Sequence, residues 1–92
     1  MKIKTINVYA DSGHAWAKVK TASLIKLGIS DNISSFSYQR NDYTYLEEDC
    51  DLNIYVNKLK ENNIEFKFKE YHTNKQSKIR SYNTYKSLTN IT

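Results

Sequence analysis

Two stretches near the start of the chain alternate polar and apolar side chains. In residues 2–10, Ile6, Val8 and Ala10 fall on one side; in residues 14–20, Ala15, Ala17 and Val19 oppose His14, Trp16, Lys18 and Lys20. Period-two alternation marks a strand with one buried face. Asp11-Ser12-Gly13 between the two stretches is a turn cluster, so they predict a hairpin. Thr21 offers a hydroxyl to cap a short helix carrying Ala22, Leu24, Ile25 and Leu27. Gly28 then stands where a left-handed residue ends a helix. Residues 35–40 and 43–47 are strand-like again, joined at Asn41-Asp42, a two-residue hairpin signal. Phe36 and Tyr38 on one run can meet Tyr43 and Tyr45 on the other as cross-strand aromatic pairs.

A second helix is the clearest element. Leu52, Tyr55, Val56 and Leu59 follow the i, i+3, i+4, i+7 spacing of a buried stripe. Asp49 or Asp51 is expected to cap it, and Lys58 and Lys60 fall in its last turns, where cations meet the negative end of the dipole. After Asn62-Asn63, the residues Ile64, Phe66 and Phe68 alternate with Glu65, Lys67 and Lys69, which predicts a half-buried strand with one charged face. From Thr73 the chain turns polar and loses any period. The order β-β-α-β-β-α-β predicts an α+β fold: one small domain, with an antiparallel or mixed sheet of about five strands packed with two helices. Residues 1–72 form the expected core. Residues 73–92 form a basic, polar tail that packs on it or extends from it.

Composition narrows the class. Apolar residues make up 39% of the 92 positions, a thin core in which eight Tyr, three Phe and one Trp carry much of the buriable area. No run approaches the roughly 18 apolar residues of a membrane span. The single cysteine, Cys50, excludes an intramolecular disulfide, and Met1-Lys2-Ile3-Lys4 does not have the pattern of a secretory leader, so a cytoplasmic location is expected. The net charge of +4 is unevenly spread: residues 1–40 carry 6 − 2 = +4, residues 41–63 carry 2 − 6 = −4 and residues 64–92 carry 6 − 2 = +4. An acidic middle thus lies between basic flanks. A free final strand would leave an edge open to pairing, which fits a monomer or a homodimer.

Enzyme chemistry finds little support. Cys50 with His14 or His72 would need a base within about 3 Å to act as a nucleophile. The neighbouring Glu47, Glu48, Asp49 and Asp51 oppose a thiolate, so a small hydrophobe in the first turn of a helix is the simpler role. Asp11, His14, His72, Cys50, Asp49 and Asp51 are ligand types without H-x-x-x-H or C-x-x-C spacing, so neither metal nor cofactor is expected. Gly13 and Gly28, the only glycines, sit in no phosphate-binding loop. Two binding surfaces remain. Trp16, Tyr38, Tyr43, Tyr45, Glu47, Glu48, Asp49 and Asp51 would make an acidic-aromatic patch for a basic partner. Alternatively, Lys67, Lys69, Lys75, Lys78, Arg80 and Lys86 would track a nucleic-acid backbone.

Gly13-His14-x-Trp16-x-x-Val19, Leu27-Gly28-Ile29, Ile33-Ser34-x-x-Ser37-Tyr38-x-Arg40, Tyr45-Leu46-Glu47-Glu48-Asp49-Cys50-Asp51 and Ile79-Arg80-x-Tyr82 resemble a group of short, uncharacterised proteins carried by bacteriophages and plasmids. The resemblance spans roughly residues 8–85 and is most specific from Tyr45 to Asp51. It implies mobile-element cargo acting in the cytoplasm of a host bacterium. By analogy with anti-CRISPR proteins, it implies a non-enzymatic inhibitor that docks on a host defence protein or ribonucleoprotein complex.

Overall fold

The computed structural model describes residues 3–87, and in it the first two alternating runs pair as expected. Strands β1 (Lys4–Ala10) and β2 (Ala15–Lys20) form an antiparallel hairpin with Ala10 opposite Ala15. Strands β3 (Tyr38–Arg40) and β4 (Tyr43–Glu47) form another, turning at Asn41, whose φ of 55° an Asn tolerates. Tyr38 stands opposite Tyr45, the aromatic cross-strand pair the pattern called for. Helix α1 (Thr21–Lys26) ends near Gly28 at φ 74°, and α2 (Asp51–Glu61) buries Leu52, Tyr55 and Leu59. Strand β5 (Phe66–His72) runs parallel to β1, and a short β6 (Asn83–Thr84) pairs with β3. The result is α+β with a six-stranded mixed sheet in the order β5-β1-β2-β4-β3-β6. None of the described helices is long and apolar enough to cross a membrane.

Strand alternation divides the sheet into two faces. Ile6, Val8, Ala17, Val19 and Leu46 point to the helices and pack with Leu24, Tyr55 and Leu59 into the main core. A smaller cluster of Trp16, Tyr45 and Ile79 lies on the other side. The sixth strand comes from the polar stretch after Thr73, which packs on the core through residue 87; residues 88–92, like Lys2, lie outside the described residues. Ile79 and Tyr85 are the apolar anchors, 4% and 3% exposed, and the Tyr85 hydroxyl donates to the Ser30 carbonyl at 2.7 Å.

Three local expectations are corrected. Neither Asp49 nor Asp51 caps α2, whose N-cap is Cys50 without a side-chain bond. Thr21 does not cap α1: its hydroxyl meets the buried Thr44 hydroxyl at 2.7 Å and ties the helix to the sheet. The half-buried strand at 64–69 is instead a sheet edge reaching past the helices, where Ile64 is 36% and Phe68 48% exposed. Lys67 and Lys69 on that edge oppose pairing with another chain.

Asp51, expected on the binding surface, is fully buried. Its carboxylate accepts from the Ser34 N–H at 3.1 Å, the Ser34 hydroxyl at 2.7 Å and the Ser37 hydroxyl. Ser37 in turn accepts from the Glu47 N–H at 2.9 Å, and its carbonyl accepts from the Tyr85 N–H at 2.8 Å. One carboxylate therefore ties the start of α2 to residues 34–37, to the end of β4 and to the C-terminal segment. Because Ser34 and Ser37 are committed to Asp51, residues 35–37 turn, β3 begins at Tyr38, and Phe36 is left 71% exposed outside any strand. Tyr55 is the opposite case: its buried hydroxyl has no hydrogen-bond partner among the described residues, and burial pushes its pKa up to about 12. In urea denaturation, Asp51→Ala is expected to lose roughly 1–3 kcal/mol for each buried donor it orphans, while Tyr55→Phe is expected to be neutral or stabilising.

Candidate nucleic-acid interface

Helices cover one face of the sheet, and on the other the registers line side chains up in rows. Tyr71, Tyr9, Trp16 and Glu47 form one row across β5, β1, β2 and β4. Lys69, Asn7, Lys18, Tyr45 and Tyr38 form the next, and Lys20, Tyr43 and Arg40 a third. Lys67 adds a further cation opposite Thr5. Among the strand residues on this face, Glu47 is the only carboxylate, at one end, against five cations in Lys18, Lys20, Arg40, Lys67 and Lys69.

Rings and cations on this face are in direct contact. Tyr9 and Tyr71 stack at 5.0 Å with planes 13° apart. The Lys18 ammonium lies 4.2 Å above the Tyr43 ring, and the Lys69 ammonium 5.5 Å from the centre of Tyr71. Arg40 lies over Tyr82 at 5.0 Å. Such contacts hold the rings in place while leaving cationic heads at the surface. Beside the stacked tyrosines, a groove of about 470 Å³ runs between the sheet and residues 72–78, lined by Lys18, Tyr45, Tyr71, His72, Lys75 and Lys78 among others. Lys18 also lines the neighbouring recess with Arg40 and Tyr43, so it sits at the centre of the face.

The segment that walls this groove is strapped down by an ion pair. Arg80 Nε donates to Asp11 Oδ2 at 2.7 Å and Nη2 donates to Oδ1 at 2.9 Å, and the Ser77 N–H adds a bond of 3.0 Å to Oδ2. Two nitrogens on two oxygens make a bidentate pair, the strong and directional kind. The Arg80 guanidinium also covers the Trp16 ring at 5.2 Å. Gly13 leaves room for it, since a Cβ there would sit 3.1 Å from Arg80 Nη2. The Arg80 hydrogen bond, followed by the N–H groups of Ser77, Gly13 and His14, holds the Asp11 carboxyl well below the usual carboxylate range. Arg80 is raised in turn, mainly by Asp11. Burial, with help from Tyr82 and Tyr9, pushes Tyr45 upward.

The expected acidic-aromatic patch is only partly assembled. Trp16 is 2% exposed beneath Ile79 and Arg80, Tyr45 is 8% exposed, and Asp51 is internal, so none of the three stands on the open surface. Tyr38 and Tyr43 are half-buried on the open face, and Glu47, Glu48 and Asp49 gather at its far end, with Glu48 and Asp49 exposed. Of the expected basic residues, Lys67 and Lys69 share that face, and Lys75 and Lys78 stand exposed along the groove. Arg80 is committed to Asp11, and Lys86, whose N–H bonds to Gln39, lies past β6 on the opposite edge.

Tyr9, Tyr71 and Lys18 were missed as site residues. Lys18 was legible as outward-facing, but its pairing with tyrosines depends on the parallel β1–β5 register, which no local pattern encodes. His14, Glu47 and Asp49 also converge, although nothing in their spacing along the chain announces it. Compared with known protein families, characterised proteins and solved structures, the chain matches none.

Since the folded state lowers the Asp11 pKa, the pair's contribution is complete above the unfolded value of about 3.9 and is lost as pH falls below it. Thermal melts at pH 7, 4 and 3 should show the wild type losing stability across that range. Asp11→Asn should melt lower at pH 7 and decline less steeply with acid.

Proposed function

We propose that the protein binds single-stranded nucleic acid on the open face of its sheet. The observation that carries this reading is the central row Lys69–Asn7–Lys18 set beside the Tyr9–Tyr71 stack. Cations spaced between ring faces suit a strand whose phosphates and bases are both accessible. A duplex hides its base faces, whereas unpaired bases can stack on rings displayed by a sheet. Tyr71, 39% exposed at the strand edge, is the natural first stacking platform, with Lys75 and Lys78 leading the backbone along the groove. The chemistry is binding only. Cationic contacts to phosphates should make affinity fall with salt, and stacking on ring faces should leave it weakly dependent on sequence.

Fluorescence anisotropy with labelled single-stranded RNA and DNA at two salt concentrations tests this. The expected result is binding that weakens with salt, a weaker response to duplex, and a loss of roughly 1–3 kcal/mol for Tyr71→Ala, about 5- to 150-fold. Lys18→Glu should weaken binding further and flatten the salt dependence. No binding at low salt, or binding indifferent to both substitutions, contradicts the reading.

A second reading rests on Glu48 and Asp49, which are exposed and enter no ion pair among the described residues. With Glu47 they form an acidic rim that suits a basic protein surface, as expected of a mobile-element inhibitor of a host defence complex. In a pull-down from bacterial lysate, Glu48→Lys with Asp49→Lys, both at exposed positions, should release the captured complex without changing the melting temperature. Release by Lys18→Glu instead would mean that the complex is held through nucleic acid.

A further inference from the structure

The acidic rim also contains a histidine. The register places Glu47 opposite Trp16, and the Glu48 N–H donates to the Ala15 carbonyl at 3.0 Å, which brings the end of β4 beside the entry to β2, where His14 stands. The chain then turns back, with the Cys50 N–H reaching the Glu47 carbonyl at 3.4 Å, so that Asp49 faces the same spot. One imidazole nitrogen and two carboxylate oxygens come to lie within 4.8 Å of one another, with His14 Nδ1 3.9 Å from Glu47 Oε1.

We infer that His14, Glu47 and Asp49 form a binding site for a divalent transition-metal ion, and that Zn²⁺ suits their donors best. Metal bonds of about 2.0–2.2 Å need these atoms somewhat closer than they stand. His14 and Asp49 are exposed and can swing inward, whereas the Glu47 side chain, 12% exposed, is the fixed member. An imidazole donor favours a borderline transition ion over Ca²⁺ or Mg²⁺, which prefer oxygen alone. The ion's double charge offsets the two carboxylates that otherwise repel each other there. Three protein ligands leave a coordination position for water or an exogenous carboxylate. The Trp16 ring lines the same recess. Bound metal would clip the entry of β2 to the turn between β4 and α2.

The test uses the full-length, untagged chain, stripped with chelator and free of nucleic acid, so it can fail independently of the function proposed above. Calorimetric titration with Zn²⁺, with Co²⁺ absorption as a spectroscopic probe, should show one ion per chain and a melting temperature raised by metal. His14→Ala and Asp49→Asn should each weaken binding by about ten-fold or more. Both side chains are exposed, so melting of the metal-free variants should match the wild type. His72→Ala, which alters a histidine outside the triad, should leave the Zn²⁺ affinity and stoichiometry unchanged. No saturable binding up to about 1 mM Zn²⁺, or binding that survives His14→Ala undiminished, overturns the assignment.

Discussion

Arg80 reaches back across 69 positions of sequence to Asp11, and the shape of the open face depends on that bidentate pair. The pair presses residues 77–82 over Trp16 and Tyr45 and so converts half of an aromatic sheet face into a second, smaller core. The uncovered half then becomes a groove with one wall of strand side chains and one wall of chain. Gly13 belongs to the same arrangement, since a side chain there would crowd the guanidinium. Removing the pair would leave only Ile79 and Tyr82 to hold the strap over Trp16 and Tyr45, loosening the cover and the groove wall together. For a domain with so thin a core, one well-placed ion pair fixes both packing and surface form.

The second organising contact is Asp51 with Ser34 and Ser37. A buried carboxylate is costly unless its oxygens are satisfied, and here three donors satisfy it. Its position leaves Glu47, Glu48 and Asp49 to form the acidic rim, while Lys18, Lys20, Lys67 and Lys69 populate the rest of the open face. The alternation of charge along the chain is thereby converted into a separation in space. A basic-aromatic field occupies the sheet and a small acidic site closes one end, and the two suit different ligands: a phosphate backbone and a cation.

Local patterns in the sequence revealed the elements well, because period two and period 3.6 are local properties. Ile6 and Val8 alternate as strand, Leu52, Tyr55 and Leu59 repeat as helix, and Gly28 supplies a left-handed end. The same alternation set Trp16 apart from the core-facing alanines, but nothing local says that Ile79 and Arg80 will cover it. Asp51 misled for a related reason. An acid at the first turn of a helix normally caps it or faces water, and only contacts with residues 34 and 37 show otherwise. Tyr9 and Tyr71 meet through a parallel pairing 62 residues apart, and their site was invisible until that register was known. Residues 73–87 have no period because each anchors separately, Ile79 on Trp16 and Tyr85 on Ser30.

The location of ligand contact on the sheet separates the basic-aromatic face from every other surface of the molecule. Backbone amide resonances of the isotopically labelled protein, followed while a short unlabelled single strand is added, locate it residue by residue. Shifts concentrated in β1, β2 and β5 around Tyr9, Lys18, Lys69 and Tyr71, continuing through residues 72–78 and leaving α2 still, are the predicted result. Shifts confined to α2 or to Glu48 and Asp49, or no shifts at millimolar strand, would contradict it.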